Sequence, residues 1–190
     1  MTYKKEENLI QPHGGYRKLL SFQMASIVYD LTVEFCKIYM TYKTNMSNRT
    51  VDQMIQAARS GRQNIAEGSQ ASGTSQKTEL KLINVARSSL EELLLDYEDF
   101  LRQRKLKQWS KDNLQAREVR ELAYKTNRSY MTYETYMSNP EMAANMLICL
   151  IHQANYLLDR QIAVLEKNFI EKGGFTERMY KIRKQNRSGF

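Results

Sequence analysis

Apolar residues recur at steps of three and four along four long stretches of this chain, which is the signature of one-sided helices. Over residues 17–42 the stripe is Leu20, Met24, Ile27, Leu31, Phe35 and Ile38, predicting a first helix of ~39 Å at 1.5 Å per residue. A second helix is predicted over 50–67, with Val51, Met54, Ala58, Gly61 and Ile65 on one face. Its small residues, Ala58 and Gly61, let a neighbouring helix approach closely. A mid-helix glycine costs about 1 kcal/mol relative to alanine, so Gly61 predicts a packing contact. Gly68 reads as a left-handed C-cap closing this helix.

The third helix, over 75–105, starts after Thr74 and Ser75, either of which can cap it. Its face is Leu80, Ile83, Leu90, Leu94, Tyr97 and Leu101, and Arg87 falls on the same stripe. The fourth spans 140–172, with Asn139 as N-cap and Pro140 in the first helical position, where the missing N–H does no harm. Leu147, Ile151, Ala154, Leu158, Ile162, Leu165 and Phe169 form its stripe, and Gly173 and Gly174 stop it.

Between the third and fourth helices, residues 107–139 form an insertion. Ser110 is placed to cap a helix over 111–125, and Tyr124 to Asn139 is ambiguous. Residues 175–190 form a basic tail, either a short helix or disordered. The only two prolines, Pro12 and Pro140, lie at boundaries. Four one-sided helices must hide their stripes against each other. The expected fold is therefore all-α, an antiparallel up-down-up-down four-helix bundle over 1–174 with an extra helical segment and a basic C-terminal tail.

Composition narrows the class without naming a function. The chain has 190 residues, 42% hydrophobic and 26% charged, enough for a real core in one domain. Cys36 and Cys149 lie in apolar helical patterns without metal-ligand spacing, so they read as buried free thiols, with a disulfide between them unsupported. The N-terminus lacks the apolar run of a signal peptide. The longest strongly apolar run, Met146 to Ile151, is far short of the ~20 residues of a membrane span. The expected location is the cytoplasm, away from membranes.

The net charge is +8 and the pI about 9.4. Residues 102–120 carry seven Lys/Arg against two Asp/Glu, residues 172–190 six against one, and the remainder is slightly acidic. Such clusters attract phosphate backbones or acidic partners, the bland alternative being a solvated face. Arg178, Lys181, Arg183 and Lys184 of the second cluster are nucleic-acid-binding candidates.

Two segments carry further information: QMIQAARSGRQNIAEGS, from Gln53 to Ser69, and NVARSSLEELLLDY, from Asn84 to Tyr97. The pair resembles the small four-helix-bundle family encoded in intervening sequences of large-subunit ribosomal RNA. Through that family it is similar to the accessory variability determinant of diversity-generating retroelements. The resemblance lies in Asn64, Ile65, Ala66, Glu67 and Gly68, then Ser89, Leu90, Glu91 and Glu92. It covers the first three helices in motif and the fourth in pattern, leaving 107–139 and the tail after Gly173 as additions. The resemblance implies a bundle that assembles into a ring, a pentamer in many relatives, with basic surfaces. In the retroelement relative it implies binding of nucleic acid and a reverse transcriptase.

Candidate chemistry is thin. His13 lies in the N-terminal loop, and His152, on the fourth helix, reads as a packing residue. The position three before His152 is Cys149, so the Glu-x-x-His pairs of di-iron bundles are absent. There is no nucleophile triad material, phosphate loop or dinucleotide fingerprint. Glu92, Asp96 and Asp99 share a face of the third helix and read as a solvated acidic face in preference to a cation site. Neither a metal nor a cofactor is expected, nor a catalytic residue.

The main constellation is Arg59, Arg62, Asn64, Glu67, Asn84, Arg87 and Glu91, where the second and third helices meet. It reads as a register-fixing network, pairing for instance Arg87 with Glu67 or Arg62 with Glu91. The alternative is a phosphate site built from Arg59, Arg62 and Arg87. Tyr130, Tyr133 and Tyr136, among Lys125 and Arg128, read as bundle packing, with stacking on single-stranded bases as the alternative. The expectation is a non-catalytic, homo-oligomeric scaffold that binds RNA or DNA and a nucleic-acid-processing protein partner. The alternative is a purely structural or protein-interaction oligomer.

Overall fold

In a computed structural model the structure describes residues 10, 12–40, 48–125 and 129–187. These residues are all-α, with six α-helices and no strand among them. The helices are α1 (Leu20–Tyr39), α2 (Asn48–Ala71), α3 (Gln76–Gln103), α4 (Leu114–Leu122), α5 (Pro140–Lys172) and α6 (Phe175–Arg187). A 3-10 turn, Tyr16–Lys18, precedes α1, and a longer 3-10 segment, Tyr130–Ser138, precedes α5.

The four long helices close on themselves: α1 packs on α2, α2 on α3, α3 on α5 and α5 back on α1. Cross-helix contacts give their directions. Ser21, early in α1, donates to Gln161, late in α5, at 2.8 Å, whereas Tyr39 at the other end of α1 donates to Met137 O, just before α5. Ser60 and Ser89 join α2 to α3 at 3.0 Å, and Gly68 meets Leu82 and Ile83, so these two run oppositely. Glu91 meets Asn155 and Glu141 meets Lys107, so α3 opposes α5. The expected antiparallel bundle is the fold.

The predicted stripes supply most of the core but not their ends, where Leu20, Ile38 and Phe169 are exposed. Met24, Ile27, Leu31, Phe35, Met54, Ala58, Ile65, Ile83, Leu90, Leu94, Leu101, Leu147, Ile151 and Leu158 are all buried. Across the diagonal, Phe35 meets Tyr97 and Phe100 edge-on at 5.0 and 4.8 Å, and the buried Tyr97 hydroxyl donates to Thr32 Oγ1 at 3.0 Å. Gly61 serves the close approach expected of it, since a Cβ there would lie 2.7 Å from Leu90 Cδ2.

Several boundaries differ from expectation. α1 begins three residues later than predicted, after the 3-10 turn, and residues 41–42 of the predicted first helix lie outside the described residues. α2 continues past Glu67 to Ala71, so Gly68 is not its cap. Gly68 is buried, and a Cβ there would sit 3.4 Å from Glu79 O, Ile83 and Leu82. Its lack of a side chain admits α3. The stop comes at Ala71, whose carbonyl accepts from Thr74 N and Ser75 N, and Ser75 caps α3 through Thr78 N. In the insertion, Asn113 and not Ser110 caps the helix, accepting from Gln115 N and Ala116 N, and the helix is the shorter Leu114–Leu122. At α5 the predicted cap and proline hold: Asn139 accepts from Glu141 N and Met142 N.

Candidate nucleic-acid interface

α5 has 33 residues, ~50 Å at 1.5 Å per residue, and it separates the two basic clusters. The insertion docks on its N-terminal half. Asn145, 1% exposed, accepts from Trp109 N at 2.7 Å and donates to Lys107 O at 2.8 Å and Glu141 O at 2.9 Å. Further along, Gln153 donates to Arg120 O. The second cluster hangs from the opposite end of α5. The fold thus puts positive charge at two poles.

At the insertion pole three of the seven cations serve structure, while Lys105, Lys107, Lys111 and Arg117 are exposed. Arg102 pairs with Asp99 at 2.7 Å, and the Arg104 guanidinium lies over the Phe100 ring at 4.0 Å. Arg120 donates to Lys111 O at 2.6 Å. Burial lowers the pKa of Arg104 from its ordinary value.

At the other pole, beyond Leu158, no described α5 side chain is fully buried. The chain then turns at Gly173, φ 70°, where a Cβ would collide with Glu177. The Glu177 carboxylate accepts from Gly174 N at 2.6 Å and starts α6. The tail is therefore a helix of 13 residues, and among the described residues it packs extensively on no other element. Of the predicted ligands here, Lys181, Arg183 and Lys184 are exposed, while Arg178 is half-buried with its guanidinium 6.0 Å from the Phe175 ring. Arg187, exposed on the same helix, extends the set. A 3.6-residue period over 175–187 places it beside Arg183, a signal the sequence carries only once the tail is helical.

The constellation between α2 and α3 is not one site. Arg62 turns toward α1, its guanidinium 4.1 Å from the Tyr29 ring centre. Arg87 turns toward α5 and forms a salt bridge with Asp159, with a second contact at 3.4 Å. α1 borders α2 and α5 borders α3, and Arg59 is exposed on α2, so the three guanidiniums are held by different neighbours and do not converge. The suggested pairings are corrected too. Arg87 finds Asp159 instead of Glu67, and Glu91 accepts from Asn155 Nδ2 at 3.0 Å. Asn64 donates to Ser60 O and Oγ at 2.9 and 3.0 Å, extending the Ser60–Ser89 contact into a seam. Asn84 donates to Leu80 O, and Asn84 and Glu67 are exposed.

A groove beside that seam is lined by Arg49, Asp52, Gln56, Ser60, Glu92 and Asp96. Burial, then Asp99 and Glu92, raises the Asp96 carboxyl above its ordinary range. Among the described residues no three His, Cys, Asp or Glu side chains are grouped to hold a metal ion.

The remaining candidates have structural positions. Tyr133 and Tyr136 are buried, with Tyr136 edge-on to Trp109 at 6.4 Å, and only Tyr130 of the three is exposed. Lys125 is exposed, and Arg128 lies outside the described residues. His152 is exposed, contrary to the packing role expected, because it faces away from the Ile151 stripe. His13 packs on Gly73 at the α2–α3 turn. Cys36 and Cys149 are free thiols, buried and half-buried, pushed up by burial to about 12 and about 11. No helix among the described residues is long and apolar enough to cross a membrane. No family model matches this chain, no curated protein is similar to it and no solved structure matches its fold.

Proposed function

We infer that this chain is a non-catalytic, oligomeric helical-bundle scaffold of the cytoplasm that binds RNA or DNA through basic surfaces and offers it to a nucleic-acid-processing protein. The observation that carries this reading is α6. It is a helix that packs extensively on no other described element, with Lys181, Arg183, Lys184 and Arg187 exposed and Glu177 as its only acid. A protein that neutralises phosphates releases their counterions, so a cationic helix of this kind supplies affinity for any polynucleotide. The Asn-Ile-Ala-Glu-Gly resemblance supports the same reading and adds a ring, with a pentamer as the expected size. Arg59, exposed on α2, supplies a further phosphate contact in this reading, whereas Arg62 and Arg87 are engaged elsewhere.

A second reading, assembly without nucleic acid, is favoured by one observation. Leu20, Val164 and Ile170 at the α6 pole are 54%, 58% and 82% exposed. Apolar surface at one end of a bundle suits contact with another protein chain. Mass in solution by light scattering, with and without added RNA or DNA at low salt, separates the two. A homo-oligomer that gains mass with nucleic acid supports the scaffold. An oligomer with no gain supports the second reading, and a monomer with no gain removes both.

A further inference from the structure

We propose that the outward face of α6 is a strip for single-stranded nucleic acid, with Tyr180 stacking on a base and Arg183, Lys184 and Arg187 holding the adjoining phosphates. This rests on the nucleic-acid reading above and narrows it to one form of the polymer.

α6 has two faces. Phe175, Arg178, Met179 and Ile182 are half-buried. Thr176, Tyr180, Arg183 and Arg187, at steps of four, three and four, share the opposite side and are exposed, with Lys184 beside them. Thr176, Met179, Tyr180, Arg183, Lys184 and Arg187 together line a concave surface along this helix. Tyr180 is 67% exposed. A single exposed ring is ordinary; this one stands within a turn of Arg183 and Lys184, on a helix whose one carboxylate is occupied with Gly174 N.

The chemistry of that pairing distinguishes strand forms. Guanidinium and ammonium groups grip phosphates of either form. A ring face adds affinity only where a base is unstacked and free to lie on it, which is the condition of a single strand. Two helical turns from Tyr180 to Arg187 span ~10 Å, so ring and cations can engage one short run of strand together. Tyr133 and Tyr136 are buried and closed to such stacking, while Tyr130 is exposed at the opposite pole, away from the α6 cations.

The test is fluorescence anisotropy of the full chain with a labelled RNA strand, a DNA strand of the same sequence and the DNA duplex, across a salt series. We expect single strands to bind more tightly than duplex. Tyr180→Ala should weaken single-strand binding by about tenfold while leaving duplex binding and the salt slope unchanged, and Tyr180→Phe should retain parental affinity. The Arg183→Gln, Arg187→Gln pair should lower the single-strand salt slope by about 1.4. This pattern with either the RNA or the DNA strand supports the proposal. Single-strand binding by Tyr180→Ala equal to the parent, or duplex bound as tightly as single strand, overturns the strip and leaves the broader reading standing. No binding to any of the three probes overturns both.

Discussion

Ala58 lies with no exposed surface in the α2 face that meets its neighbours, and a carboxylate placed there has no partner to offset its lost hydration. Ala58→Glu should unfold the bundle or its assembly, because an unpaired buried charge costs several kcal/mol; a circular dichroism melt matching the parent would contradict this. Arg87 and Asp159 make the opposite case. Their side chains are 38% and 51% exposed, so water screens the pair, and Asp159→Ala should change unfolding free energy by less than about 1 kcal/mol in a denaturant titration. The thiols give a pH signature. Burial holds Cys36 up to about 12 and Cys149 up to about 11, above their ordinary 9.0, and Tyr97 is raised as well. The folded chain keeps protons that the unfolded chain releases, so this stability is complete below about pH 9 and is lost as pH rises toward 12. The melting temperature should fall steadily above about pH 9, and native Cys36 should resist alkylation at neutral pH. At this scale, sequence reveals a residue whose role depends on near neighbours. Gly61 was readable because a mid-helix glycine needs a reason. The partner of Arg87 was not, because Asp159 is 72 residues away and many acids were equally plausible by sequence.

Among the elements, the four long helices were readable because each repeats its apolar face over many turns, and α5 also has Asn139 and Pro140 to mark its start. The error at Gly68 shows the limit of such signals, since one residue type serves both a left-handed cap and a close helix crossing. The insertion was obscure for another reason. Its short helix and 3-10 segment have no long period, and it is fastened by polar contacts to a residue on another element. Asn145 makes two of those contacts, to Lys107 and Trp109, and a third to Glu141 O on its own helix. Asn145→Ala should loosen the insertion at a cost of about 1–2 kcal/mol, the penalty for leaving partly buried backbone groups unpaired. Trp109 is the only tryptophan, so its emission reports docking directly. A red shift before the helices melt is expected, and unchanged emission up to the global transition would refute the fastening role.

For the molecule as a whole, composition foretold two basic clusters but not their placement at opposite ends of α5. Nor could sequence foresee that the insertion cluster spends three of its seven cations on Asp99, the Phe100 ring and the Lys111 carbonyl. The insertion cluster keeps Lys105, Lys107, Lys111 and Arg117 exposed as well; what sets the tail cluster apart is that its cations stand together on one helix that packs extensively on no other described element. The constellation of Arg59, Arg62 and Arg87 looked like one site in sequence because α2 and α3 are adjacent. In three dimensions α1 and α5 draw Arg62 and Arg87 apart. The most direct test compares the salt dependence of nucleic-acid binding for the full chain and for a chain ending at Gly174, with helicity checked in both. We expect an unchanged bundle melt, with only the helicity of α6 lost in the shortened chain, and tight, steeply salt-dependent binding by the full chain. The shortened chain should bind more weakly, with a slope reduced by about 2–4, as befits the loss of a few phosphate contacts. Equal binding by the two chains, or none by the full chain at low salt, would contradict it.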